Sequence, residues 1–317
     1  MRKAIYLVLI LIATSACLKE EIPIASHAIG SLVTNQIELG VDYRYQVYYD
    51  FETNTMVKQH LKTDWDLGFE NGGSGFRVIL NTSKAMSSAA KPIDYFESTT
   101  DTSGCQWGYD VNSGNLDSTA ISDWQSLDQF YIIDLGYSYD GTHLGFKKLK
   151  ILSQSDNEYN IEFESLDGSN AIITSISKNS LYNFSFFSFE TNNIVEIEPE
   201  KNDWDLVFGQ YAHLFEPTFP YLVTGVLSNR NGVEVAEVFD KSFEDIQYSD
   251  VSEYYFSDHI NIIGYDWKTY NGASYTVDIT KNYIVKTTEG LYFKIHFIDF
   301  YNQQGDKGSP MFELSSL

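Results

Sequence analysis

"DWDLGF" at 64–69 returns as "DWDLVF" at 203–208. In each copy the tryptophan alternates with a leucine, Trp65 with Leu67 and Trp204 with Leu206. Successive side chains of a strand point to opposite faces, so the indole and the leucine share one face and the aspartates take the other. Such a segment puts a large ring into a core, and its carboxylates are placed to accept hydrogen bonds from backbone amides or a neighbouring indole. The same alternation separates neighbouring aspartates, which argues against a paired-carboxylate glycosidase site.

Outward from the phrase, the match continues in order. "FETNTMVKQHLKTDWDLGF" (51–69) answers "FETNNIVEIEPEKNDWDLVF" (189–208), and each "FETN" reads as a turn between two strands. A second tryptophan follows in "SDW" (Trp124) and "YDW" (Trp267). Both copies close on paired strands, "FYIIDLGYSYDGTHLGFKKLKIL" (130–152) and "NYIVKTTEGLYFKIHFIDF" (282–300). Matches in a fixed order mark an internal repeat. The spacing predicts a first unit over 45–154 and a second over 155–317, preceded by an extended leader over 18–44.

The rest of the chain is a succession of short runs such as "YRYQVYYDF", "YNIEFESL", "YLVTGVL" and "YTVDI", separated by "DGS", "NG" and "EG". Period-two alternation with aromatic and β-branched enrichment predicts strands, and the Gly/Asn/Asp pieces predict turns. Aromatic residues make up 15% of the chain, which also favours strands. The fold class is therefore all-β, mostly antiparallel, from a duplicated unit. The stretches 85–98 and 236–248 are less regular and have room for one or two short helices.

At the start, Arg2 and Lys3 precede the apolar run Ala4 to Ala13, and "TSAC" ends at Cys17. This is the pattern of a lipoprotein signal peptide over 1–17, with Cys17 as the lipidated residue. The apolar run is shorter than the roughly 20 residues that span a bilayer, and no later segment reaches that length. The expectation is a folded body held to a membrane by acyl chains. "LKEE" at 18–21 resembles the acidic export signal that sends lipoproteins of Bacteroidota-type bacteria to the cell surface. The other cysteine, Cys105, has no free partner for an intramolecular disulfide.

Lys and Arg total 21 against 44 Asp and Glu, a net charge of −23. That balance argues against nucleic acid as a partner, and also against an anionic membrane surface, because both need basic patches. No GxSxG, HExxH, CxxC or phosphate-cradling glycine loop is present, so the chain does not read as an enzyme. "GYDVNSGNLDS" at 108–118 offers Asp110, Asn112 and Asp117 as oxygen ligands for Ca²⁺, but it lacks the bidentate Glu of a calcium loop and reads as a turn.

The two tryptophan phrases with their "FETN" turns, together with the closing "YIVKTTEGLYFKIHFIDFYNQQGDKGSPMFEL", resemble the HmuY family of haem-binding surface lipoproteins. The resemblance spans most of the chain and is weakest at 85–125. It implies a β protein displayed on the outer membrane that takes haem from host haemoproteins and hands it to a TonB-dependent receptor. It also implies axial His or Met ligands from loops between the tryptophan phrase and the closing strands. The residues of this sequence in that interval are His259 and His213 in the second copy and Met86 in the first. His60, His143 and His296 read as structural. The aromatic rings around "YAHLFEPTFPYL" are able to line a haem slot or simply to pack a sheet. The alternative is a surface binding or assembly module of the same fold that recognises a protein or a glycan without haem.

Overall fold

Each "FETN" stretch reverses the chain, and in both the asparagine takes the left-handed conformation, Asn54 at φ 54° and Asn192 at φ 55°. Asparagine tolerates that region better than other residues with a Cβ. The turns join Tyr45–Asp50 to Thr55–Leu61 and Phe184–Ser188 to Asn193–Val195 as antiparallel hairpins. The computed structural model describes residues 30–216 and 219–317. The signal segment, Cys17 and "LKEE" lie outside the described residues.

Two β-sandwiches follow, nearly all antiparallel as the alternation predicts. In one, the five-stranded sheet 172–177, 158–165, 146–154, 129–134, 87–92 packs on the four-stranded sheet 193–195, 184–188, 67–70, 78–80. Their shared core joins Leu67, Phe69 and Phe187 to Tyr131, Ile161 and Phe163. In the other, the five-stranded sheet 33–36, 307–316, 292–301, 282–286, 234–238 packs on 219–228, 206–216, 45–50, 55–61. That core joins Val47, Tyr49 and Leu206 to Tyr283, Ile295 and Phe312.

The pairing crosses between the copies. The "DWDLGF" strand Leu67–Glu70 pairs with the second "FETN" hairpin, with Leu67 opposite Phe187. The "DWDLVF" strand pairs with the first, with Leu206 opposite Tyr49. One sandwich is thus a continuous stretch from about residue 64 to 195, and the other is completed by residues 30–61. Part of the predicted leader belongs to that second core: 33–36 pair with 307–316, and Ile37 and Leu39 are fully buried. The turn at 155–157, where the sequence put the repeat boundary, joins two paired strands of one sheet.

Trp65 and Trp204 are buried, but not in the cores of Leu67 and Leu206. Both sit in a cluster between the sandwiches with Tyr48, Ile79, Phe184, Phe186 and Ile197. Each tryptophan stands just before its strand begins, so the strict alternation does not reach it. Short 3₁₀ turns occur at Thr82–Lys84, Ile93–Tyr95 and Tyr248–Glu253. No helix among the described residues is long and apolar enough to cross a membrane.

Candidate functional site

The longest hairpin, Leu206–Glu216 with Phe219–Ser228, carries the second tryptophan phrase outward beyond its sheet. At Gly225 the backbone of Gly264 approaches so closely that a Cβ would lie 2.3 Å from its carbonyl oxygen. Glycine is therefore required there, and the contact seats the 260–268 segment on the hairpin through the Val226–Gly264 bridge. Tyr265 and Lys268 are set beside the hairpin's end as a result.

This arrangement opens a cleft of about 500 Å³ whose walls include Phe215, Tyr221, Tyr265, Tyr270 and Tyr275. The size falls within the usual range of small-molecule sites. Phe215, Tyr221 and Tyr270 are more than half exposed, so ring faces are available at the rim. Lys307 supplies positive charge and Asp266 negative charge. Lys268 Nζ donates to the Thr224 carbonyl (2.5 Å) and lies 4.1 Å from the centre of the Trp267 ring. Burial pushes its amine down to about 7.

His213 packs against two of the cleft's wall residues, its ring 4.8 Å from Phe215 and 4.9 Å from Tyr265. Its Nδ1 is buried without a partner among the described residues, and its Nε2 is 3.4 Å from Asn112 Nδ2. Burial lowers its pKa, with Asp266 opposing. His259 is exposed and lines a separate polar cleft with Ser113, Asn115 and Arg230. Both histidines lie near one loop, 112–116: His213 beside Asn112, and His259 in the cleft lined by Ser113, Asn115 and Leu116. Met86 is not with them; it is 2% exposed inside the first core.

The loop considered for Ca²⁺ has spent its oxygens elsewhere. Asp110 accepts from the Leu80 and Ala120 amides, Asn112 bonds Leu214 in both directions, and Asp117 pairs with Arg77. It fastens one sandwich to the other. The histidines read as structural are so placed: His143 pairs with Asp134, His296 with Glu313, and His60 packs on Tyr48.

Sequence reasoning missed two buried asparagines. Asn81 donates to the Lys62 and Trp65 carbonyls, and Asn229 donates to the Lys201 and Trp204 carbonyls. The signal for them was an asparagine at matching places after each tryptophan phrase, in "RVILNTS" and "VLSNRN".

The family model described as HmuY protein matches the chain twice, over residues 42–182 and 180–314. The chain belongs to the HmuY family, a family of haem-binding type, as the repeated phrases imply. Among solved structures it is similar to an apo HmuY analog from Tannerella forsythia, at 12% identity, 91% of this chain, 97% of that one and a TM-score of 0.32. It is also similar to apo PinO from Porphyromonas gingivitis, at 9% identity, 90% and 97% coverage and a TM-score of 0.30. No curated protein matches the chain. Membership rests on the two sequence matches.

Proposed function

We propose that this chain is a lipid-anchored protein of the outer-membrane surface that binds haem without catalysis in the tyrosine-lined cleft, and delivers it to a TonB-dependent receptor. The observation that carries the reading is the cleft itself, with open aromatic faces and the Lys307 ammonium at the end of the second tryptophan hairpin. Ring faces such as Tyr265 and Tyr270 suit a flat macrocycle, and Lys307 suits its carboxylates. His213, whose Nδ1 lacks a partner, is the candidate ligand that adjoins the cleft. Bound haem would supply an iron with an open coordination position; the chain's own part is to stack, to orient and to exclude water.

The residues present fit a macrocycle with one adjacent histidine. They do not assemble a His/Met pair, because Met86 is buried in the other sandwich. That observation, with the exposed rings at the rim, favours the second reading: a module that stacks on a protein or glycan. Titration with haem and with iron-free protoporphyrin separates the two. The haem reading expects both to bind, with a perturbed Soret band for haem; the second reading expects neither.

A further inference from the structure

Where the sandwiches meet, the crossed pairing makes a local pseudo-two-fold arrangement, and its departures from symmetry surround a second cavity. From the strand registers, Gln46 is the counterpart of Phe184, and Tyr48 that of Phe186. The matching hydrogen bonds of Asn81 and Asn229 make Thr82 the counterpart of Arg230. All of these line one half-open space of about 110 Å³, together with Trp65 and Trp204.

On one side the indole Nε1 of Trp65 donates to Gln46 Oε1 at 3.0 Å. On the other side the counterpart is Phe184, which has no acceptor, and Trp204 Nε1 has no partner among the described residues. Beside it, Arg230 donates to the Gly114 carbonyl and lies over the Phe184 ring at 5.8 Å. No carboxylate forms a close ion pair with it among the described residues, although Asp110, Glu198 and Glu70 act on its charge through space. The cavity's carboxylates are already used. Asp110 takes the Leu80 and Ala120 amides, and Glu198 takes the Phe184 amide and Asn183. Of the donors on this wall, Trp204 Nε1 is the one left without an acceptor among the described residues. Buried donors left without one are costly.

We infer that the inter-sandwich cavity is a binding site for a small monocarboxylate with an apolar body, its carboxylate on Arg230 and Trp204 and its body among Trp65, Ile79 and Phe186. The volume sets the size: a dry cavity of about 150 Å³ takes benzene, so a space of about 110 Å³ takes a smaller body, a short branched chain. Arg230 also lines the outer cleft of His259, which makes that cleft the entry. The site is independent of the haem reading.

The test is calorimetry and tryptophan fluorescence of the mature protein with sodium isovalerate, against isoamyl alcohol and isoamylamine. The inference expects saturable binding of a carboxylate with a change in tryptophan emission, at least tenfold weaker binding of the alcohol, and none of the amine. Arg230→Gln should weaken carboxylate binding at least tenfold. Ala212→Leu, which fills the cavity wall, should abolish it while leaving Arg230 in place. Equal binding of the alcohol, preference for the amine, carboxylate binding that survives Ala212→Leu, or no binding would each overturn the inference.

Discussion

The carboxylate of Asp66 accepts a hydrogen bond from the backbone N–H of Phe189 at 2.7 Å, although 123 residues separate them. Its counterpart Asp205 accepts from the N–H of Phe51 at 3.0 Å. Each tryptophan phrase therefore caps the "FETN" turn of the other copy, and the second aspartate of "DWD" is what fastens the crossing. The environments then diverge. Asp66 is paired with the buried amine of Lys84, while Asp205 lies with Asp50 and Glu52, their oxygens within 4.8 Å of one another.

Asp66→Ala should destabilise the protein by about 3–5 kcal/mol, because it strands the Lys84 charge in the interior. Asp66→Ala with Lys84→Met should recover much of that loss. Urea unfolding of the two variants measures both, and equal instability would mean that the cap to Phe189, rather than the ion pair, dominates.

The two tryptophans should respond alike to truncation and differently to a milder change. Trp→Ala at either place removes an indole from the cluster between the sandwiches and should cost about 3–5 kcal/mol. Trp65→Phe also leaves Gln46 without its donor and should cost about 1 kcal/mol more than Trp204→Phe. Denaturation midpoints of the four variants decide it.

Stability should fall as pH rises from about 4 to about 7. Burial first, with a hydrogen bond to Asp50, pushes Glu52 up to about 8, and burial pushes Glu198 up to about 7 and Asp110 up to about 6. An acid that holds its proton more tightly when folded adds stability that is complete below its unfolded pKa and is lost as pH climbs through the folded value. Lys268 acts the other way only above about 7, where its depressed pKa relieves a cost. Thermal melts at pH 5 and pH 7 should show the higher Tm at pH 5. Glu52→Gln should flatten the slope, and an unchanged slope would remove Glu52 from this account.

Cys17→Ser should release the protein from membranes, and alanine at Lys19, Glu20 and Glu21 should leave it anchored but not displayed. Protease treatment of intact cells reads the difference. A triple variant that is still cleaved at the surface would contradict the export role of "LKEE".

Much of the fold was legible because a period of two and a repeated phrase survive in the sequence without any knowledge of partners. The crossing was not legible. Leu67 faces the same kind of core whether its neighbour is the first "FETN" hairpin or the second, and the two hairpins are nearly identical in pattern. The placement of Trp65 was misread for a related reason: the backbone leaves strand geometry just before Leu67, and alternation says nothing about such a kink. The cleft was partly legible, since "YAHLFEPTFPYL" supplies Phe215 and Tyr221. Tyr265, Tyr270 and Tyr275 arrive from a segment far along the chain, through the close approach at Gly225. Met86 failed as a loop ligand because the residues around it form short strands and a 3₁₀ turn packed into the first core.

Haem binding in the tyrosine-lined cleft can be read by an absorbance titration of the mature protein with haem. A saturable Soret change is expected at micromolar haem, weakened at least tenfold by alanine at Tyr265 and Tyr270 together. The band should be shifted by His213→Ala and unaffected by His143→Ala. No saturable change, or binding that keeps its strength in the tyrosine variant, would contradict it.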